Sequence, residues 1–188
     1  RSFVKRSEPK RTWSRVNDMV DEAVELAEIE VRRRNVRLTC NVASRLPMLL
    51  VDPILIEQVL INLLKNAAES VDTAQRPTAL RKVDLTVQQT VVDDRQMVEF
   101  SVIDTGGGLA PEMLERLYEA FYSTKSYGMG IGLSLCRSIV ESHQGRMRGE
   151  NLYNGAEVTG CRFAFWLPVG EPASLMSEPR RKHIKTPG

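Results

Sequence analysis

Three clusters of residues have types and spacings suited to chemistry. The first is a pair of amides, Asn62 and Asn66, in a stretch otherwise built from Ile54, Leu55, Val59, Leu60, Leu63, Leu64, Ala67, Ala68 and Val71. Four residues apart on a helix, they share one face. They read either as satisfied boundary amides or as the polar side of a pocket whose oxygens reach a hydrated cation and its phosphates. Magnesium would suit such a pocket, because it prefers oxygen ligands and keeps several waters. The second is Phe100-Ser101-Val102-Ile103-Asp104, a strand pattern that runs into Thr105 and then Gly106, Gly107 and Gly108. It reads either as a glycine-rich turn with Asp as turn former or as a carboxylate aimed at a donor such as an adenine amino group. In the second case the glycines let the backbone close on a base or sugar.

The third is Gly128-Met129-Gly130-Ile131-Gly132-Leu133, directly ahead of a helical pattern. Free N–H groups at a helix start attract anions. The GxGxG spacing follows a loop, so it is neither a dinucleotide fingerprint nor a Walker loop, which would need Gly-Lys-Ser/Thr. A ligand-free flexible connection is the plain alternative, and three alternating glycines weigh against it. Tyr118, Phe121, Tyr122 and Lys125 lie between the two glycine clusters. The aromatics read as packing anchors of a loop, and Lys125 as a solvated side chain that becomes a phosphate ligand if a phosphate pocket lies beside it.

Around these clusters the pattern alternates between helix and strand. A short strand is expected over 12–16. Val16, Val20, Ala23, Val24, Ala27 and Val31 then recur at helical spacing. That predicts a helix over 18–34, capped by Asn17, acidic at its start and closed by Arg32, Arg33 and Arg34. A strand over 36–43 follows. Asp52-Pro53 opens the apolar helix as N-cap and first residue. Beyond a loop over 72–80, strands over 82–92 and 97–104 flank a turn at Asp93-Asp94-Arg95. A short helix starts near Pro111, and another runs from the second glycine cluster to His143, with Gly145 as its C′ residue. The last strands fall over 146–151 and 160–167. From 169 on, prolines, serines and charges such as Pro172, Ser174, Arg180 and Arg181 read as a flexible tail.

Composition narrows the class. The 188 residues carry 26 Lys+Arg against 24 Asp+Glu, a net charge of +2 that calls for no polyanionic partner. Cys40, Cys136 and Cys161 form no CxxC pair and fit a reduced compartment, and with only His143 and His183 a zinc site has little support. No apolar run is long enough for a membrane span, and no signal peptide is visible. The chain starts without Met, so a fragment of a longer protein is expected.

In this order the clusters resemble the catalytic ATP-binding domain of sensor histidine kinases, over about residues 12–168. That domain belongs to the superfamily shared with gyrase-type topoisomerases, heat-shock chaperones and mismatch-repair ATPases. Residues 58–69 resemble the N box, 104–108 the G1 box, 118–125 the F box and 128–133 the G2 box, in the spacing of the short-lid branch. The resemblance implies an α+β two-layer sandwich of a mixed, mostly antiparallel sheet and helices, the Bergerat-type fold, with ATP and magnesium as ligands. It implies that Asp104 binds the adenine amino group, Asn66 holds the metal and Asn62 lies near the phosphates. Gly106 and Gly108 would flank the base. Gly128, Gly130, Gly132 and Leu133 would form the hinge and phosphate cradle, and Tyr118, Phe121 and Lys125 would complete the nucleotide site.

It also implies a reaction. Hydrolysing relatives carry a water-activating glutamate where this chain has Asn62, so phosphoryl transfer is favoured, a reaction that needs mainly positioning and charge neutralisation. The phosphoacceptor histidine would sit in an upstream dimerisation module, with residues 1–11 as its end or a linker, and a response regulator would receive the phosphoryl group. The full-length protein would be a cytoplasmic homodimer, with an upstream membrane anchor left open, and the fragment a monomer. His143 is expected at a helix end, facing solvent or the helix dipole. The departures are Tyr118 for Phe, Glu69 where some relatives have Lys, no Arg in the lid (which leaves Lys125, then Lys65, as cations), and the run Gly160-Cys161-Arg162-Phe163, which lacks the Thr often seen before the Phe. A stand-alone ATPase and a non-catalytic nucleotide-sensing or docking module are the alternatives, and a nucleic-acid binder is the weakest.

Overall fold

A computed structural model describes residues 8–116 and 129–170. The elements are β1 (Thr12–Ser14), α1 (Val16–Arg33), β2 (Arg37–Val42), β3 (Leu49–Val51), α2 (Pro53–Thr73), β4 (Lys82–Val92), β5 (Arg95–Asp104), α3 (Pro111–Arg116), α4 (Met129–Ser142), β6 (Arg146–Asn154) and β7 (Glu157–Pro168). A five-stranded sheet has the order β2-β4-β5-β7-β6, with β2 and β4 parallel and the other neighbours antiparallel. β1 and β3 form a separate antiparallel pair. The expected two-layer, mostly antiparallel α+β sandwich is what the chain adopts.

Alternation along the strands makes the core. Val83, Leu85 and Val87 of β4, Val98, Phe100 and Val102 of β5, and Cys161, Phe163, Phe165 and Leu167 of β7 are buried on one face. The Phe100 and Phe165 rings stack there with centroids 4.6 Å apart. Helices α1, α2 and α4 cover that face with Met19, Val20, Leu60, Leu63, Leu64, Leu133 and Val140. The opposite face carries a polar network. Arg162 reaches Ser101 (3.0 Å), Glu99 (3.1 Å) and Glu150 (3.3 Å), and the Trp166 indole N–H donates to Glu99.

Several boundaries differ from the sequence expectation. Helix α1 starts at Val16, two residues early, and its N-cap Arg15 makes no side-chain cap bond. Pairing of β1 ends at Ser14, and buried Val16 anchors the helix directly after it. Asp52 does cap α2, accepting from the Leu55 N–H at 3.3 Å, with Pro53 first in the helix. β3 was not anticipated, because three residues show no period. The β4–β5 turn is the pair Asp93-Asp94, both at positive φ (50° and 60°), the backbone that a two-residue hairpin requires. The last two strands are longer than expected and form a hairpin around Gly155.

The end of α4 needs two corrections. Gln144, at φ 58°, is the left-handed C′ residue, and Gly145 is the one after it. Their N–H groups donate to Glu141 O and Val140 O, closing a Schellman motif. Gly145 is glycine for another reason: a Cβ there would overlap the Trp166 carbonyl oxygen. His143 is buried at 2% exposure instead of facing solvent. Its Nδ1–H donates to Ile139 O (2.8 Å) and its Nε2 accepts from the Asp52 backbone N–H (3.1 Å). It therefore ties the end of α4 to the start of α2. Burial lowers its pKa, with Arg11 lowering it further and Asp52 opposing. Arg11 also donates to Ser142 O, and the Lys10 N–H donates to Asp52.

Candidate functional site

Register decides where Asp104 goes. It is the last residue of β5 and shares parity with Val98, Phe100 and Val102, so it continues the apolar row on the helix-covered face. There it is 3% exposed. Burial raises its carboxyl pKa to about 6, against the lowering effect of N–H groups from Gly106 and then Cys161. The Gly106 N–H lies 2.8 Å from Oδ1. A carboxylate offers about four acceptor positions, so these two donors leave capacity for a ligand's donor.

Gly160 makes this corner possible. A Cβ there would overlap the Asp104 carbonyl oxygen, so β7 can approach the end of β5 only without a side chain. The next residue, Cys161, is the register partner of Asp104. Burial pushes its thiol up to about 12, and the Asp104 charge adds to the effect. Cys136, on α4, is likewise raised to about 12 by burial, against a hydrogen bond with the Asn62 side chain. Neither thiol carries appreciable thiolate at neutral pH, so both are poor nucleophiles.

The face of α2 links the clusters. Asn62, Asn66 and Ser70 recur every four residues on it. At one end Ser70 packs against Gly106 so closely that a Cβ on Gly106 would overlap its hydroxyl oxygen. At the other end the Asn62 Oδ1 would lie 3.4 Å from a Cβ on Gly132, in the first turns of α4. Asn66 lies between them, and its Nδ2 is buried with no hydrogen-bond partner among the described residues. The eight residue steps from Asn62 to Ser70 span about 12 Å along the helix.

The loop after Asp104 is held by residues that carried no signal in the sequence. Arg76 Nε donates to Thr105 O at 3.0 Å, and its Nη2 to Gly106 O at 3.2 Å. Gly108 sits at φ 71°, where a Cβ would meet Val158 Cγ1 at 2.5 Å and Asn151 Oδ1 at 2.7 Å. Asn151 Oδ1 accepts from the Leu109 N–H at 2.9 Å, and its Nδ2 donates to Leu109 O. Arg76 is 29 residues from Thr105, and Asn151 is 42 from Leu109. No local pattern could have revealed either contact.

The structure thus sets Gly106 against Ser70 and Gly132 against Asn62 along the Asn66 face of α2, ties Asp104 to Gly106, puts Gly108 against Asn151 and Val158, and places Gly130 in the first turn of α4. Leu133 is fully buried and packs α4 into the core. Tyr118, Phe121, Tyr122, Lys125 and Gly128 lie outside the described residues. Among the described residues no three His, Cys, Asp or Glu side chains gather to hold a metal. No described helix is long and apolar enough to cross a membrane.

Comparison with known proteins agrees with this geometry. Residues 51–171 match the family described as histidine kinase-, DNA gyrase B- and HSP90-like ATPase. The sensor protein FixL of Bradyrhizobium diazoefficiens is 36% identical over 91% of this chain and 32% of its own length. The chain spans only a quarter to a third of the curated relatives it matches. Among solved structures, the catalytic domain of histidine kinase ThkA superposes with a TM-score of 0.69 at 28% identity, covering 85% of this chain and 95% of that domain. Full-length ShkA, crystallised with AMPPNP, gives 0.68 at 25% identity, over 90% of this chain and 33% of ShkA. The chain therefore belongs to the histidine kinase-, DNA gyrase B- and HSP90-like ATPase family, as a catalytic domain of the sensor histidine kinase kind.

Proposed function

We propose that this chain binds Mg-ATP and donates its γ-phosphoryl group to a histidine in an upstream dimerisation module of a longer, homodimeric, cytoplasmic sensor kinase, for relay to a response-regulator aspartate. The observation that carries the reading is the α2 face. It runs from the glycine loop beside Asp104, at Ser70, past Asn66, to the glycine turn of α4, at Asn62. In this reading Asp104 accepts from the adenine amino group, with Gly106 and Gly108 beside the base. Asn66 presents its amide to the magnesium ion that arrives with the nucleotide. Its buried nitrogen, an N–H donor without a partner among the described residues, fits an acceptor brought by the ligand, such as a phosphate oxygen, while the amide oxygen is the atom that suits the metal. A magnesium ion held by Asn66 would neutralise phosphate charge there. Gly128, Gly130 and Gly132 cradle phosphate with Lys125, Tyr118 and Phe121 close the site, and Leu133 seats the helix behind it.

Asn62 is an amide next to Gly132, with no proton-accepting carboxylate in its place. That supports transfer to a protein histidine over hydrolysis, because phosphoryl transfer relies on positioning and charge. The test mixes the chain with the dimerisation module of its own full-length protein and γ-labelled Mg-ATP. An acid-labile, alkali-stable phosphohistidine on the module, absent with Asn66→Ala, is expected. A chain that binds Mg-ATP but never labels the module refutes the reading.

A further inference from the structure

We propose that Arg76 and Asn151 are positioning residues for the nucleotide, a clamp at both ends that holds the 105–109 loop in its binding conformation before ligand arrives. The inference rests on the nucleotide reading above and deepens it.

Almost every polar backbone group at the two ends of this loop has a partner. The Thr105 N–H donates to Lys82 O at 3.3 Å, and the Gly106 N–H donates to Asp104. The carbonyls of Thr105 and Gly106 both accept from the Arg76 guanidinium, which also reaches Val158 O at 3.5 Å. At the far end the Asn151 amide takes both polar groups of Leu109 at once, its oxygen accepting from the N–H and its nitrogen donating to the C=O. The clamps come from different elements. Arg76 follows α2, and Asn151 lies on β6, the sheet edge. Gly108 is pressed against Asn151 and Val158. In the middle, the peptide groups of Gly107 and Gly108 have no hydrogen-bond partner among the described residues. Pinned ends and a free, side-chain-less middle suit a backbone that must meet a planar base without first being ordered. A loop already held in place spares the ligand the ordering cost.

Releasing one clamp lets the loop sample other conformations. If the competent fraction falls to about one tenth, the apparent Kd rises about tenfold. Because the loop would bind ground state and transition state alike, KM for ATP should rise with kcat unchanged.

The experiment titrates the chain with ADP by calorimetry, as wild type, Arg76→Ala, Arg76→Lys and Asn151→Ala, with folding checked by circular dichroism. Arg76→Lys keeps the charge but loses the fork that spans two carbonyls, so an intermediate loss is expected. KM and kcat are then read in the phosphotransfer assay. A loss of about tenfold in both alanine variants, carried by KM, supports the clamp. Unchanged affinity, or a fall in kcat with KM intact, overturns it while the kinase reading stands. A folded wild type that binds no ADP overturns both. Hydrogen exchange on the wild type keeps the question decidable if a variant fails to fold. The Leu109 amide should be protected without ligand, and those of Gly107 and Gly108 only with ADP. A Leu109 amide exchanging at the unprotected rate overturns the clamp.

Discussion

Asp104→Asn should separate stability from binding, because the residue is a buried charge whose cost is tied to its use. Burial lifts its carboxyl from the ordinary 3.8 to about 6. A shift of that size means that holding the group ionised in the fold costs roughly 3 kcal/mol. The native protein keeps the proton up to about pH 6 and the unfolded chain releases it near 3.8, so between these values the native state binds more protons. Stability from this group is thus highest at low pH and falls as pH rises toward 6. Asparagine never ionises and escapes that cost. It offers one acceptor oxygen and an NH₂ group among N–H donors, so the donors around it are less well matched, at about 1–3 kcal/mol. The two effects nearly cancel at pH 7.5, where the variant should be as stable as wild type or slightly more so. At pH 5 the wild-type carboxyl is largely protonated and the mismatch shows. Urea unfolding at both values measures the difference. The variant should gain roughly 1.5 kcal/mol on wild type between pH 5 and 7.5. The same variant should bind ADP at least about tenfold more weakly, since one missing hydrogen bond to a polar ligand group leaves partners unpaired. A stability difference independent of pH, or one that moves the other way, refutes the buried-charge account. Undiminished ADP binding refutes the role of Asp104 at the base.

His143 and Gly160 give two further expectations. His143→Leu can serve neither Ile139 O nor the Asp52 N–H, and should lose at least about 1–3 kcal/mol at pH 7.5. Because the folded imidazole titrates below its ordinary 6.5, wild-type stability from this group is full above about pH 6.5 and declines as pH falls beneath it. The gap between variant and wild type should therefore narrow by pH 5.5, as read by urea midpoints, and a gap that widens would contradict a buried neutral imidazole. Gly160→Ala forces backbone against backbone beside Asp104 and should cost about 3 kcal/mol, a fall in Tm of roughly 6 to 12 °C. Gly155→Ala, where only the positive φ resists and no atom lies within 4 Å, should cost about 1–2 kcal/mol. Equal losses at the two glycines would show that the close approach of β7 to Asp104 is not what requires Gly160.

The parts of this protein that were legible in its sequence are those with short-range causes. The Asp52-Pro53 start of α2, the apolar face of that helix, the Asp93-Asp94 turn and the alternation in β4 and β5 each follow from neighbours within a turn or a strand. Asn62, Asn66, Asp104 and the glycine clusters stood out for the same reason, as polar or side-chain-less residues interrupting a strong local pattern. Helix ends were less legible. Asn17 has the right type for a cap, yet the pairing of β1 with β3 sets where the chain enters α1. At the end of α4, glycine at 145 suggested a backbone role, but the constraint is the Trp166 carbonyl, 21 residues on.

What only the tertiary structure decided is how the clusters become one site. That a carboxylate is buried follows from sheet register, which places Asp104 on the helix-covered face. That the glycine loop is pinned follows from Arg76 and Asn151, distant in sequence and ordinary in type. That His143 is a neutral bridge follows from the packing of α4 against the start of α2. A single chain displays its periodicities and interruptions directly. Close approaches between distant segments are chosen by the packing of all of them together, and the sequence records them only as a missing Cβ or an isolated polar side chain.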